Sequence, residues 1–137
     1  MIGVDYGLKR IGLAMTDLLR IIASPFGTIE SISIKKNAVK ILKIAKANNV
    51  SVIVFGLPAN MNGTEGRMSE DVREVIGEIK VLSSDIEVAT IDERLTTAQA
   101  ERMLIEEIDV SRKKRKAFKD KIAAAFILQT YLDAHKS

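Results

Sequence analysis

Apolar residues gather into two short runs within the first seventeen positions. Met1–Tyr6 and Ile11–Thr16 read as strands, with Gly7-Leu-Lys-Arg10 as the turn of a hairpin between them. Residues Ile21 to Glu30 read as a third strand, and Ser24-Pro25 within it suits a sheet edge or a bulge, because proline cannot donate to a ladder on both sides. From Ile34 the period becomes helical, with Ala38, Val39, Leu42 and Ala45 on the apolar side, and with Lys35, Lys36, Lys40, Lys43 and Lys46 elsewhere. Asn48-Asn49 ends that helix, and Val50–Phe55 is a β-branched run expected of a strand covered on both faces. A turn-rich loop, 56–66, leads to a helix carrying Met68, Val72, Ile76 and Ile79. A strand over Ile86–Ile91 then runs into Asp92-Glu93-Arg94. The capping box Thr96-Thr-Ala-Gln99 predicts a helix over 97–107, and a last helix runs from near Ala117 to Ala134. This order predicts an α/β fold: a mixed five-stranded sheet, an antiparallel meander of three strands followed by parallel strands, with helices on both faces.

Composition narrows the chemistry. At 137 residues and 47% apolar content the chain is expected to form one domain, 1–137, with a real core. It has no run of about 18 apolar residues, and Asp5 interrupts the N-terminus, so a cytoplasmic protein with neither membrane span nor secretory signal is expected. Without cysteine there is no disulfide, thiolate site or cysteine nucleophile, and the lone histidine, His135, is expected to be structural or solvated. The net charge of +3 conceals a concentration: residues 112–121 carry seven cations and one anion, +6, so the remainder carries −3. Arg112, Lys113, Lys114 and Arg115 lead this run, the footprint of a polyanion site or else a solvated or flexible segment. Aromatic residues are only 4% and tryptophan is absent, which favours reading of backbone and shape over base stacking.

Three acidic positions then stand out. Asp5 falls inside a strand, where a desolvated carboxylate demands a cation or donors; a solvent-facing edge or a pair with Lys9 or Arg10 would also satisfy it. Asp92-Glu93 closes the last strand, at the carboxyl end where ligands collect in open α/β sheets, although acids also belong before a helix start. Asp120 shares the apolar face of its helix with Ala123, Ala124, Ile127 and Tyr131, and either a salt bridge or a ligand accounts for it. Clustered oxygen ligands suit Mg2+ or Mn2+, and three convergent carboxylates suit phosphodiester hydrolysis. The loop 56–66 lacks the Gly-Lys-Ser/Thr ending of a nucleotide P-loop; its backbone donors suit a phosphate or simple turn chemistry.

The segments Gly3-Val-Asp-Tyr-Gly-Leu-Lys-Arg-Ile-Gly-Leu-Ala14, 56–66, Asp92-Glu-Arg-Leu-Thr-Thr97 and 120–133 together resemble the YqgF family, also called RuvX. The resemblance implies an RNase H-like fold and a nuclease trimming the 5′ end of precursor small-subunit ribosomal RNA, with ribosomal particles as possible partners; Holliday-junction resolution on branched DNA is the older proposal. It further implies Asp5, Glu93 and Asp120 as metal-binding catalytic carboxylates, with Asp92 an alternative to Glu93. Lys9, Arg10 and Arg94 would be phosphate contacts; the sequence leaves both a monomer and a homodimer open. A ribosome-assembly module that binds RNA without cutting it is the competing class. Nucleotide binding, suggested by the aspartate-glycine strand turn, would need a second such domain.

Overall fold

The N-terminal hairpin forms from β1 (Ile2–Asp5) and β2 (Arg10–Thr16), as it stands in a computed structural model of the chain. The structure describes residues 1–17, 19–57, 67–92 and 112–135, with the backbone alone for 67 and 112–119. The expected helix over 97–107 and the loop residues 58–66 lie outside that set, as do Glu93 and Arg94. Strand β3 (Ala23–Glu30) pairs antiparallel with β2, and the register shifts between Leu13 and Ala14, where Gly27 and Pro25 are the successive partners. That irregularity, on the edge strand, is where a residue lacking a ladder donor belongs.

Helix α1 (Ile34–Ala47) starts where the Ser33 side chain accepts from the Lys36 N–H and ends at Asn48, followed by Asn49 in the left-handed region at φ 55°. Strand β4 (Val52–Leu57) follows. It begins and ends two residues later than the sequence suggests, so Gly56 and Leu57 belong to the sheet rather than to the loop. The reason is pairing on both sides: Ile53–Phe55 run parallel to Ile2–Val4, while Val52–Leu57 run parallel to Glu87–Asp92. Helix α2 (Arg67–Leu82) precedes β5 (Glu87–Asp92), and helix α3 (Arg112–Ala134) closes the chain.

Two points of the sequence reading need correction. Helix α3 is helical from Arg112, five residues before the expected start near Ala117, so the cationic run belongs to the helix. Arginine and lysine are good helix formers and nothing between 112 and 117 breaks a helix, whereas apolar periodicity marks only the part that packs. Val39 is 51% exposed, and Asn37 takes a place in the buried arc beside Ala38, Ile41, Leu42 and Ala45.

The sheet order is β3-β2-β1-β4-β5, with β1 central and parallel to β4, and with β4 parallel to β5. Alternation along the strands separates two apolar layers. Ile2, Val4, Ile11, Leu13, Ile53 and Phe55 face α1 and α2, meeting Ile41, Leu42, Val72, Val75 and Ile79. Ala14, Val52 and Val54 face α3, meeting Ala124, Ile127, Leu128 and Tyr131.

Candidate active site

Asp5 is the last residue of β1 and is half-buried, with Gly12 of β2 directly opposite. Directly opposed residues share a face, at a Cα separation of about 4.5–5.5 Å. Gly12 decides which face this is. A Cβ built on it would fall inside the carbonyl group of Asp120 and come within 3.0 Å of the Lys121 nitrogen. A Cβ on Gly3, two residues before Asp5, would meet the Ala124 carbonyl oxygen and the Leu128 Cβ, each at 2.8 Å. The two glycines therefore let the backbone of α3 lie directly on the hairpin. Asp5 shares that side, and Asp120 is brought beside it.

The Asp120 carboxylate has a partner on the same hairpin: Arg10, the first residue of β2, donates from Nε to Oδ2 at 2.8 Å. Both side chains are partly exposed, 39% for Arg10 and 23% for Asp120. The pair is charge-assisted and spans 110 residues, fastening the turn end of the hairpin to α3. Arg10, a phosphate contact by the family resemblance, thus stands on one of the candidate metal ligands. Lys9 beside it is exposed at the turn.

Asp92 ends β5 and is exposed. It pairs with Leu57, whose side chain packs into the layer under α1 and α2, so alternation puts Asp92 on the face opposite Asp5. Glu93, the next residue, and Arg94 lie outside the described residues, as do the side chains of Arg112, Lys113, Lys114 and Arg115. Among the described residues, no three acidic or histidine groups form a ready metal cluster.

The donor set fits a hard divalent cation nonetheless. Asp5 and Asp120 offer carboxylate oxygen, magnesium and manganese prefer such ligands, and the guanidinium on Asp120 shows that the position accepts a positive charge. His135 contributes nothing to this site: its Nδ1 lies 2.9 Å from the Tyr131 carbonyl, which accepts from the ring N–H, and it stacks on the Tyr131 ring at 4.1 Å.

Three supports escaped the sequence reading. Gly12 needed no motif to be noticed, since glycine inside a strand often marks close backbone approach. Gln129 of α3 accepts from the Ala23 N–H at 2.9 Å and donates to the Ile21 carbonyl at 3.1 Å, tying α3 to β3. Buried Asn37 donates to the Tyr6 hydroxyl at 2.8 Å and to Ser31 Oγ at 2.9 Å, and it accepts from the Ile32 N–H. That network fixes the residue after Asp5 from the far side of the sheet; an asparagine at the edge of an apolar stripe gave no sign of it.

Comparison with known proteins agrees with this architecture. A family model described as RuvX, Holliday junction resolvase, matches residues 1–134. A protein of Endomicrobium trichonymphae, provisionally named pre-16S rRNA nuclease, is 69% identical over 97% of the chain and 94% of its own length. One of the same provisional name from Thermoanaerobacter pseudethanolicus is 44% identical over 100% of the chain and 98% of its own. Among solved structures, the fowlpox virus resolvase bound to Holliday junction DNA superposes with a TM-score of 0.61 at 15% identity, covering 99% of the chain and 98% of that protein. The likeness is one of fold, and the fold is RNase H-like, with the five-stranded mixed sheet that the sequence order predicts.

Proposed function

The chain belongs to the RuvX family, and on that premise we propose that it is a divalent-metal-dependent nuclease that hydrolyses phosphodiester bonds in structured RNA. The substrate in this reading is the precursor of 16S ribosomal RNA, free or within immature ribosomal particles of the cytoplasm, cut during maturation of its 5′ end. The name carried by the relatives at 69% and 44% identity supports that choice. The observation that carries the chemistry is the seating of α3 on Gly12, which sets Asp5 and Asp120 on one side of the sheet.

Asp5, Glu93 and Asp120 would hold Mg2+ or Mn2+ through carboxylate oxygens, with Glu93 preferred to Asp92 because Asp92 lies on the other face. When bound, such ions lower the pKa of an attacking water and stabilise the leaving oxygen. Arg10 holds and orients the Asp120 carboxylate through its Nε, and a guanidinium at that place would also suit a substrate phosphate. Lys9, Arg94 and the cations 112–115 hold the phosphate backbone, an attraction largely independent of sequence.

The test is cleavage of a labelled precursor rRNA fragment, with Mn2+ or with EDTA, by the wild type and by Asp5→Asn and Glu93→Gln. Metal-dependent cutting, lost in both folded variants, is expected. Cutting by either variant at the wild-type rate would overturn the assignment. A second reading, resolution of four-way DNA junctions, is favoured by the description of the family itself. A junction substrate run alongside separates the two.

A further inference from the structure

Helix α1 lies on the sheet face opposite α3, and its exposed side carries a charge pattern that neither packing nor helix stability explains. From Ser31 to Val50 the chain has five lysines and no acidic residue. At 3.6 residues per turn, Lys35, Lys36, Lys40, Lys43 and Lys46 fall within about 140° of the helix circumference and span roughly 16 Å along it. Four of them are exposed and Lys40 is partly so, with exposed Val39 among them. Lys35, Lys36, Val39 and Lys40 line a shallow open groove.

The pattern is unfavourable for the helix itself. Lys36–Lys40, Lys40–Lys43 and Lys43–Lys46 are like charges at spacings of four and three, each slightly destabilising. Lys35 and Lys36 occupy a first turn without any acid, at the positive end of the dipole. Lys46, in the last turn, alone suits the dipole; although α2 carries Glu70, Asp71, Glu74 and Glu78, the five lysines enter no salt bridge among the described residues. The row is also continuous with the active-site hairpin. The Lys9 carbonyl accepts from the Ser31 N–H at 2.9 Å, two residues before the cap of α1, so the exposed turn bearing Lys9 and Arg10 abuts the start of the lysine row.

We infer that the lysine face of α1 is a second nucleic-acid surface, which takes the phosphate row of an RNA duplex beyond the bond cut at the sheet edge. The inference rests on the nuclease reading for the identity of the polyanion. A straight row of cations on a rigid helix matches the regular phosphate row of a duplex, and the scarcity of aromatic residues fits contact with backbone rather than bases.

Binding of a long RNA duplex is measured in EDTA by fluorescence anisotropy over a range of salt concentrations. Wild type is compared with the triple variant Lys36→Gln/Lys40→Gln/Lys43→Gln and with the single changes Lys40→Gln and Lys80→Gln. The triple variant is expected to bind more weakly, with its log–log salt slope shallower by about 2 to 3 units. Lys40→Gln is expected to lose about one unit, and Lys80→Gln, on α2, none. Thermal unfolding of the triple variant at low salt should be no lower than wild type, because like-charge pairs are removed. An unchanged slope in the triple variant, an equal loss in Lys80→Gln, or no duplex binding by wild type would overturn the inference. The nuclease reading is decided separately by cutting of precursor RNA with the same preparations, so either can fail alone.

Discussion

The two faces of the sheet are built on opposite principles. Towards α1 and α2 the strands present Ile2, Val4, Ile11, Leu13, Ile53 and Phe55, all essentially inaccessible, and stability there comes from bulk. Towards α3 the same strands present Gly3, Gly12 and Ala14, met by Ala124 and the backbone at Asp120, with Val52, Val54, Ile127 and Leu128 further along. That face brings backbones together and fastens them with polar pins: Arg10 on Asp120, Gln129 on Ile21 and Ala23. A site that must aim carboxylates cannot tolerate side chains that hold the helix away. The bulky face therefore stabilises a fold whose thin face does the positioning.

The contrast is broken most severely from the bulky side. Phe55→Ala should cost about 3–5 kcal/mol in urea unfolding, yet leave Mn2+ affinity per folded molecule unchanged. Gly12→Ala should cost less, about 1–3 kcal/mol, because the new methyl must displace the backbone at Asp120. It should nevertheless abolish tight Mn2+ binding, since the carboxylate moves with the helix. A Gly12→Ala protein with wild-type metal affinity would show that close seating is not what aims Asp120.

Smaller effects sharpen the same comparison. Arg10→Gln removes a partly exposed ion pair, so its stability cost should stay below about 1 kcal/mol. Its Mn2+ affinity by calorimetry should rise rather than fall, because the competing cation has gone. The smallest effect concerns the loop before β3. Asp17 accepts from the Ile21 and Ile22 N–H groups, and these bonds hold its carboxyl below the ordinary 3.8. The charged form is thus favoured by folding, so its contribution is present above pH 3.8 and is lost as pH falls through the lowered folded value. Asp17→Asn keeps an accepting oxygen but does not titrate, and its acid unfolding profile should be shallower than that of wild type.

Much of this arrangement was legible in the residues, for identifiable reasons. The hairpin, the edge position of the Pro25 strand and the stop at Asn48-Asn49 follow from local rules that tertiary contacts do not override. The inward face of α3 was legible because Asp120 sits in register with Ala123, Ala124 and Ile127. Strand β4 was misplaced by two residues because ladders with β1 and β5, rather than its own composition, set its ends. Val39 misled because an apolar residue at the margin of an amphipathic stripe can fall on either side. The early start of α3 was hidden because charged helix turns carry no apolar period. The Arg10–Asp120 pair was illegible in detail: either Asp5 or Asp120 could have claimed that arginine, and only the seating of α3 on Gly12 decides it.

The central claim is that Asp5 and Asp120, placed together by Gly12, share one divalent ion. Titration of Mn2+ into the folded protein, followed by the electron paramagnetic resonance of free Mn2+, tests it without reference to any substrate. Wild type should bind tightly, and Asp5→Asn and Asp120→Asn should each weaken binding by at least about tenfold, roughly 1.4 kcal/mol, while Asp92→Asn, on the other face, should not. Undiminished Mn2+ binding by a folded Asp5→Asn or Asp120→Asn protein would contradict the account.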